Sequence, residues 1–337
     1  MVNIMMWFEK LVGFREETPE QVRENITVDG NVLRSIVNGR EFNCGELETP
    51  SLAELKERAE AVANRTGKIS VREVVADVKH LHRDPSNANA LFQVASQFNL
   101  LEMVSPSYTP EQGVAIYEND GTQGPACAIA AGAGTIYRNY FANVNGQIGQ
   151  SATNQIDCLT DLGIALGNHD SRLWEMKNGY ALASESGLDE ISNRLGSMGE
   201  IEFSDLGLLL RIGAHWDTQV TLDHSEHTVS QVYCSALPVA YSPHSSTQWE
   251  AFAKLVLNAS YEATFCAAIL NAAKTGNNQL FLTLLGGGVF GNKIEWIIQA
   301  IERAARLHYE HDLEVSIVSY GSSKDEVRQL VKRLPNH

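Results

Sequence analysis

The sequence predicts an α/β protein with a largely parallel sheet and helices on both of its faces. Three observations predict it. First, the last ninety or so residues alternate: a helical pattern over 246–274, an apolar strand pattern over 279–285, a helical pattern over 294–309, a strand pattern over 314–319, and a helix from Ser323. Strands separated by helices pair in parallel, because the crossover helix returns the chain to the same end of the sheet. Second, residues 90–95 read Ala-Leu-Phe-Gln-Val-Ala, a nearly continuous apolar run. Such a run suits a strand covered on both faces. Third, the strand pattern at 279–285 runs into Gly286, Gly287 and Gly288, then Val289, Phe290, Gly291 and Asn292, and then a helix. A strand opening through bare glycine into a helix lets backbone N–H groups approach an anion.

The N-terminal part reads differently. Residues 26–28, 32–37 and 40–44 have strand character, with Asp29-Gly30 and Asn38-Gly39 where tight hairpin turns belong. Thr49-Pro50-Ser51 opens a helix over 52–63, and Ser51 with Glu54 fits a capping box. Residues 1–66 are therefore expected as a hairpin-and-helix extension packed on a main domain at 67–337. In that domain, residues 69–82 alternate apolar and polar, and Gly124-Pro125 opens a small-residue helix over 126–141. A helix over 155–166 follows, then a hairpin turning at Asn178-Gly179, and strands over 208–220 and 229–240. Loops are expected at 142–154 and 221–228.

Composition narrows the function. The chain has 337 residues, with 41 acidic against 26 basic side chains and a net charge of −15. Duplex nucleic acid is an unsuitable partner, because phosphate binding needs a basic face. Backbone amides can still hold a ligand with a few phosphates. The five cysteines are scattered, with no Cys-x-x-Cys pair, so reduced thiols and a cytoplasmic location are expected, without a zinc site. No apolar run is long enough to span a membrane, and the first residues lack a cleavage-site pattern. The glycine turn is neither a P-loop, since no Lys-Ser/Thr follows, nor a dinucleotide fingerprint, whose glycine spacing differs. No Gly-x-Ser-x-Gly elbow occurs.

Three segments in order resemble a macrodomain, the ADP-ribose-binding fold. Val74-Val-Ala-Asp77-Val78-Lys79 is similar to the family's first strand end. The run from Ala90 to Asn99 stands where the family has a strand closing on Asn-Ala-Ala-Asn. Gly286-Gly-Gly288-Val-Phe290-Gly291 is similar to its late Gly-x-Gly-[Ile/Val]-[Phe/Tyr]-Gly loop. The strand ending Leu237-Pro238-Val239 resembles the one before the family's long helix. The resemblance covers about residues 69–320, with two departures. Ala95-Ser-Gln-Phe-Asn99 replaces Asn-Ala-Ala-Asn, and residues 101–123 replace the usual glycine-rich loop. This divergent form looks most like MavL-like ADP-ribosyl hydrolases and, more distantly, poly(ADP-ribose) glycohydrolases.

The resemblance implies a three-layer αβα fold with a mixed, largely parallel sheet. It implies a hydrolase that removes ADP-ribose from modified protein, with no cofactor and no metal. The alternatives are a reader that binds ADP-ribose without chemistry, and a hydrolase of a non-protein ADP-ribosyl or nucleotide substrate, against which the net charge of −15 argues. Asp77 is expected at adenine, with Val78 or the final-strand residues Ser319 and Tyr320 against the ring, and Asn99 at the distal ribose. The run from Gly286 to Asn292, with Gln123 and Gly124 at a helix start, is expected at the pyrophosphate. Glycosidic cleavage needs a carboxylate near the anomeric carbon. Asp120 is the first candidate, then Glu118 and Glu111. Arg138 reads as a structural residue near a helix C-terminus, and Cys127 as small-residue packing rather than a thiolate. His224 and His227 on a loop do not make a metal site.

Overall fold

The computed structural model describes residues 6–62 and 67–334. The expected boundary at 66/67 falls against residues 63–66, outside the described ones, as does the last residue of the expected helix over 52–63. The chain opens with two helices that had no clear sequence signal, α1 (Trp7–Val12) and α2 (Pro19–Asn25). A three-stranded antiparallel sheet follows: β1 (Ile26–Asp29), β2 (Val32–Ser35) and β3 (Glu41–Asn43). Then come β4 (Glu46–Glu48), α3 (Leu52–Val62), β5 (Ser70–Val75), α4 (Val78–Arg83) and β6 (Leu91–Ala95). The alternation read over 69–82 is thus a strand that ends at Val75, with Asp77 capping a helix.

The single helix expected over 126–141 is two, α5 (Gln123–Ala130) and α6 (Gly132–Tyr140), parted at Ala131, whose ψ of 57° is not helical. Next are the short pair β7 (Asn143–Val144) and β8 (Gln147–Ile148), α7 (Thr160–Leu166), and the hairpin β9 (Trp174–Lys177) and β10 (Tyr180–Ala183). Asn178 at φ 47° and Gly179 at φ 79° make that hairpin's turn, as the sequence predicts. Two further helices, α8 (Glu185–Gly196) and α9 (Glu200–Gly207), precede β11 (Gly213–Gln219) and β12 (Thr228–Cys234). The strand expected over 208–220 therefore begins only at Gly213. The end of the chain follows expectation: α10 (Ser246–Thr275), β13 (Gln279–Leu282), α11 (Ile294–Leu307), β14 (Glu314–Ser319) and α12 (Asp325–Arg333).

Seven strands form the main sheet in the order β4-β11-β12-β6-β13-β14-β5. The five from β12 to β5 are parallel, and β11 runs antiparallel to both β12 and β4. The sheet is therefore mixed and largely parallel. The connections β12–α10–β13 and β13–α11–β14 step toward β5, whereas β5–α4–β6 steps back. Right-handed crossovers thus place α10 and α11 on one face and α4 on the other, where it packs with α5. The thirty residues of α10 begin in a capping box of Ser245 and Gln248 and end at Gly276, which takes the left-handed conformation at φ 78°.

The buried side chains fall into one large core, a second, smaller one, and a third small cluster of Leu101, Met103 and Tyr180. The large core joins the sheet with α10, α11 and also Leu52, Leu55 and Ala59 of α3. Since β4 is a strand of the main sheet, residues 46–62 share that core. The second core joins Phe8, Leu11, Val22, Leu33 and Phe42 to Tyr117, Ile129, Ile136 and Tyr140. The N-terminal segment thus packs on the outer side of α5 and α6, under the stretch that leads into α5.

Candidate active site

A cleft of about 230 Å³ opens at the carboxyl ends of β6 and β13. Ligands of α/β sheets bind in the crevice outside the carboxyl ends of parallel strands. Here the sheet itself makes the crevice. β13 pairs with β6 only through Leu280/Leu91 and Phe281/Phe92. Beyond that point β6 lacks a neighbour on this side, and the Gln123 side chain takes its place. Its Oε1 accepts from the Ala95 N–H at 2.9 Å, and its Nε2 donates to the Gln93 carbonyl at 2.9 Å. Gln123 lines the cleft, but its polar atoms belong to the strand.

One wall is the start of α5. Thr122 makes no side-chain cap, so the positive end of the helix faces the cleft through its own backbone. Gly124 brings the helix against the strand. A Cβ there would lie 2.0 Å from the Ala95 carbonyl oxygen. The opposite wall is the loop after β13, which contributes Gly286, Gly288, Val289 and Phe290. Tyr261 of α10 anchors its start, donating to the Thr283 carbonyl at 2.7 Å and accepting from the Leu285 N–H at 2.9 Å. The three glycines are not equivalent. Gly286 has φ 72°, and a Cβ would meet Ala236 at 2.3 Å. Gly288 has no heavy atom within 4 Å of a Cβ position. Gly286 serves the backbone; Gly288 leaves open space on the cleft side.

The loop closes through Asn292, which is buried and donates from its side-chain amide to the Leu237 carbonyl at 2.8 Å. Gly287, Gly291 and Asn292 therefore shape the loop and do not line the cleft, and neither does any residue of α11. The helix start that faces the cleft is that of α5, not the one after the glycines. Tyr180, Tyr241 and Phe290 pack at the mouth with ring centroids 5.1 to 5.6 Å apart.

Asp120 lines the cleft, half-buried, with its Oδ1 accepting from the Thr122 N–H at 2.8 Å. The other two expected carboxylates do not reach it. Glu118 is exposed, accepts from the Trp7 N–H at 2.7 Å and lies 3.6 Å from Lys10. Glu111 accepts from the Ala152 N–H at 2.7 Å. Both hold the outer side of the segment to its neighbours. Asn99 is fully buried, donates to Gln155 and accepts from the Leu101 N–H, so it braces the turn after β6 rather than facing the cleft. Asp77 caps α4 through the Lys79 N–H at 2.8 Å. It shares the carboxyl edge of the sheet with exposed Tyr320, two strands along from the glycine loop, while Val78 is buried in the core. None of these three lines the cleft.

The sequence reading missed the deepest carboxyl. Glu102 lines the cleft floor at 3 % exposure; its side-chain oxygens are buried beside Arg138 and the Tyr117 hydroxyl, and neither makes a hydrogen bond of good geometry. Its one charged neighbour is Arg138, with Nη2 3.6 Å from Oε2. Desolvation pushes the Glu102 carboxyl up to about 8, against the opposing pull of Arg138. A carboxylic acid held protonated near neutrality is a ready proton donor. The signal was present: Glu102 is the lone charge in the apolar run Leu100-Leu-Glu-Met-Val104.

The thiol of Cys127 is fully buried and pushed well above its ordinary value by desolvation, so it packs and does not act as a thiolate. All five cysteines are free and buried. Among the described residues no cluster of His, Cys, Asp and Glu could hold a metal ion, and no helix is long and apolar enough to cross a membrane.

No protein-family model matches the chain, and no curated protein matches it significantly. Solved structures do. The poly(ADP-ribose) glycohydrolase of Thermomonospora curvata bound to the inhibitor ADP-HPD is 12% identical, covering 97% of this chain and 99% of that one, with a TM-score of 0.46. The poly(ADP-ribose) glycohydrolase of Deinococcus radiodurans in complex with ADP-ribose is 12% identical, covering 95% and 97%, with a TM-score of 0.44. Likeness at this level decides neither activity nor ligand.

Proposed function

We propose that this chain is a divergent, macrodomain-like hydrolase that releases ADP-ribose from modified protein. One observation carries the reading. The cleft combines an uncapped helix start on one wall, an open glycine turn on the other, and a buried carboxyl without a hydrogen-bond partner on its floor. The first two suit a diphosphate, held by backbone dipoles in a chain of net charge −15. The third suits bond cleavage beside it. A pure binding module gains nothing from a carboxyl buried at the cost of desolvation.

In this reading the diphosphate lies between Gly288 and the start of α5, and the distal ribose points to the floor. Glu102 donates its proton to the departing acceptor group. Asp120, on the wall toward the mouth, takes a proton from the attacking water as its oxygen bonds to the anomeric carbon, and its charge stabilises the positive charge developing there. Adenine would extend along the sheet edge toward Asp77 and Tyr320. The acidic surface suits a basic protein acceptor. The relation to MavL-like hydrolases, the cytoplasmic setting and the reading of residues 1–66 as an extension packed on the main domain belong to the same proposal.

The test is release of free ADP-ribose from peptides modified on arginine or serine. Release by the wild type and loss of about 10²-fold in turnover for Asp120→Asn support the hydrolase. A wild type that binds ADP-ribose but releases none from either peptide makes the chain a reader.

A further inference from the structure

Arg138 is the most thoroughly buried charge in the described molecule. Its side chain is 0 % exposed. It extends from α6 into the space between β12 and the segment bearing Glu102. Nε donates to the Leu100 carbonyl at 3.0 Å, Nη1 to the Tyr233 hydroxyl at 2.5 Å, and Nη2 to Thr135 Oγ1 at 3.2 Å. The guanidinium carbon lies 3.7 Å from the centre of the Tyr233 ring. Every contact but one is to a group that does not ionise near working pH. The exception is the Glu102 carboxyl at 3.6 Å, too long for a hydrogen bond and close enough for strong attraction in a dry site.

That arrangement differs from a structural salt bridge. A buried pair that serves only the fold closes into short, bidentate contact, because only good geometry offsets desolvation. Here three neutral acceptors hold the guanidinium just short of the carboxyl, whose oxygens are buried and make no hydrogen bond, while the residue itself lines the cleft floor. Tyr233 is itself fixed, donating to Gln231 Oε1, while Gln231 donates to the Cys127 carbonyl at 3.0 Å. The anchor thus spans β12 and α5. The titratable groups facing Glu102 are Arg138 on α6, Tyr117 in the 3-10 turn at 115–119, Tyr233 on β12 and Cys127 on α5. Only Arg138 is charged near neutrality; desolvation keeps both tyrosines and the thiol in their neutral forms.

We propose that Arg138 is the positioning residue of the site: held back by Leu100, Thr135 and Tyr233, it holds the Glu102 carboxyl in place at the cleft floor and sets the charge that carboxyl carries. The proposal rests on Glu102 acting at the cleft floor, as read above. Without Arg138, burial alone would leave the carboxyl protonated far into the alkaline range. With a short ion pair, it would be ionised and have no proton to give. The intermediate distance gives a group that titrates near working pH.

The experiment is a carbon-13 titration of the full chain labelled at glutamate side chains, with the Glu102 resonance assigned by its loss in Glu102→Gln. Arg138→Met removes the charge and keeps much of the bulk. Its Glu102 midpoint should rise by about one pH unit or more, while Arg138→Lys, which restores a cation, should bring the midpoint back toward the wild type. An unchanged midpoint in folded Arg138→Met overturns the proposal. If Arg138→Met does not fold, Tyr233→Phe decides. The Tyr233 hydroxyl bonds Arg138 and Gln231 and no atom of Glu102, so a midpoint displaced by about half a unit or more in either direction supports the proposal, and no displacement overturns it. The titration needs no turnover, so it stands apart from the hydrolase reading. That reading fails instead if the wild type releases no ADP-ribose. Where there is turnover, the pH limb of kcat should move with the Glu102 midpoint while KM stays level.

Discussion

Two carboxyls are drawn inward on either side of the segment between β6 and α5, and they are treated in opposite ways. Glu16, from the N-terminal segment, reaches under residues 113–115. One oxygen accepts from the Val114 N–H at 3.0 Å and the Tyr140 hydroxyl at 2.6 Å, and the other accepts from the Ala115 N–H at 2.6 Å. Glu102, on the cleft side, has no hydrogen bond to either oxygen. Both are raised above the usual carboxylate range, chiefly by desolvation. The difference teaches how to read a buried acid. Where the fold needs one, its lone pairs are filled, because an unmade hydrogen bond in the interior is expensive. Where the lone pairs are empty in a residue that lines a cavity, the carboxyl is a candidate to act on what enters the cavity.

Removing each carboxyl should separate the two sides. Glu102→Gln is expected to lower turnover by about 10³-fold, within the range for a general acid, while the melting temperature stays level or rises because a strained ionisable group has gone. A fall in stability with turnover intact would make Glu102 the structural acid. Glu16→Gln should do the reverse. The amide cannot accept on both sides, so at least one buried N–H or hydroxyl loses its partner, at a cost of about 1–3 kcal/mol in urea unfolding. Turnover should fall less than about tenfold, through loosening of the segment that carries Asp120.

Stability against pH sharpens the same contrast. The folded chain keeps protons on these carboxyls that the unfolded chain, with carboxyls near 4.5, has lost. Stability is therefore fully present below about pH 4.5 for these groups and falls as pH rises toward about 8, where Glu102 ionises. Melting curves from pH 5 to 8 should show the decline in the wild type and a shallower one in Glu102→Gln. Identical slopes would mean that Glu102 is ionised in the folded protein.

The parts of the fold legible in the sequence are those where local pattern and tertiary role agree. The strand at 91–95, the long helix α10 with its Ser245/Gln248 box and Gly276, and the units β13–α11 and β14–α12 all stand close to where apolar period and caps put them. The helices α8 and α9 were not legible, because Gly187, Asn193, Gly196 and Gly199 dilute their pattern. The break at Ala131 was hidden by a run of small residues with no proline or polar punctuation. In the cleft, the glycine loop and Asp120 were legible, but which glycine faces space was not, since Gly286 and Gly288 differ in backbone φ and in what lies beside them, neither of which a run of glycines announces. Tyr180 and Tyr241 reach the cleft from distant segments, and no local pattern announces that.

That difference between glycines gives the most direct test of the central claim, that the cleft holds the diphosphate of ADP-ribose. Calorimetry with ADP-ribose should show micromolar or tighter binding to the wild type, about −8 kcal/mol or stronger. Gly288→Glu has room for its side chain and no positive φ to strain, so it should melt like the wild type. Its carboxylate would stand where the diphosphate lies, and no binding should be measurable. No heat from the wild type at millimolar ADP-ribose, or equal affinity in a folded Gly288→Glu, would contradict the account.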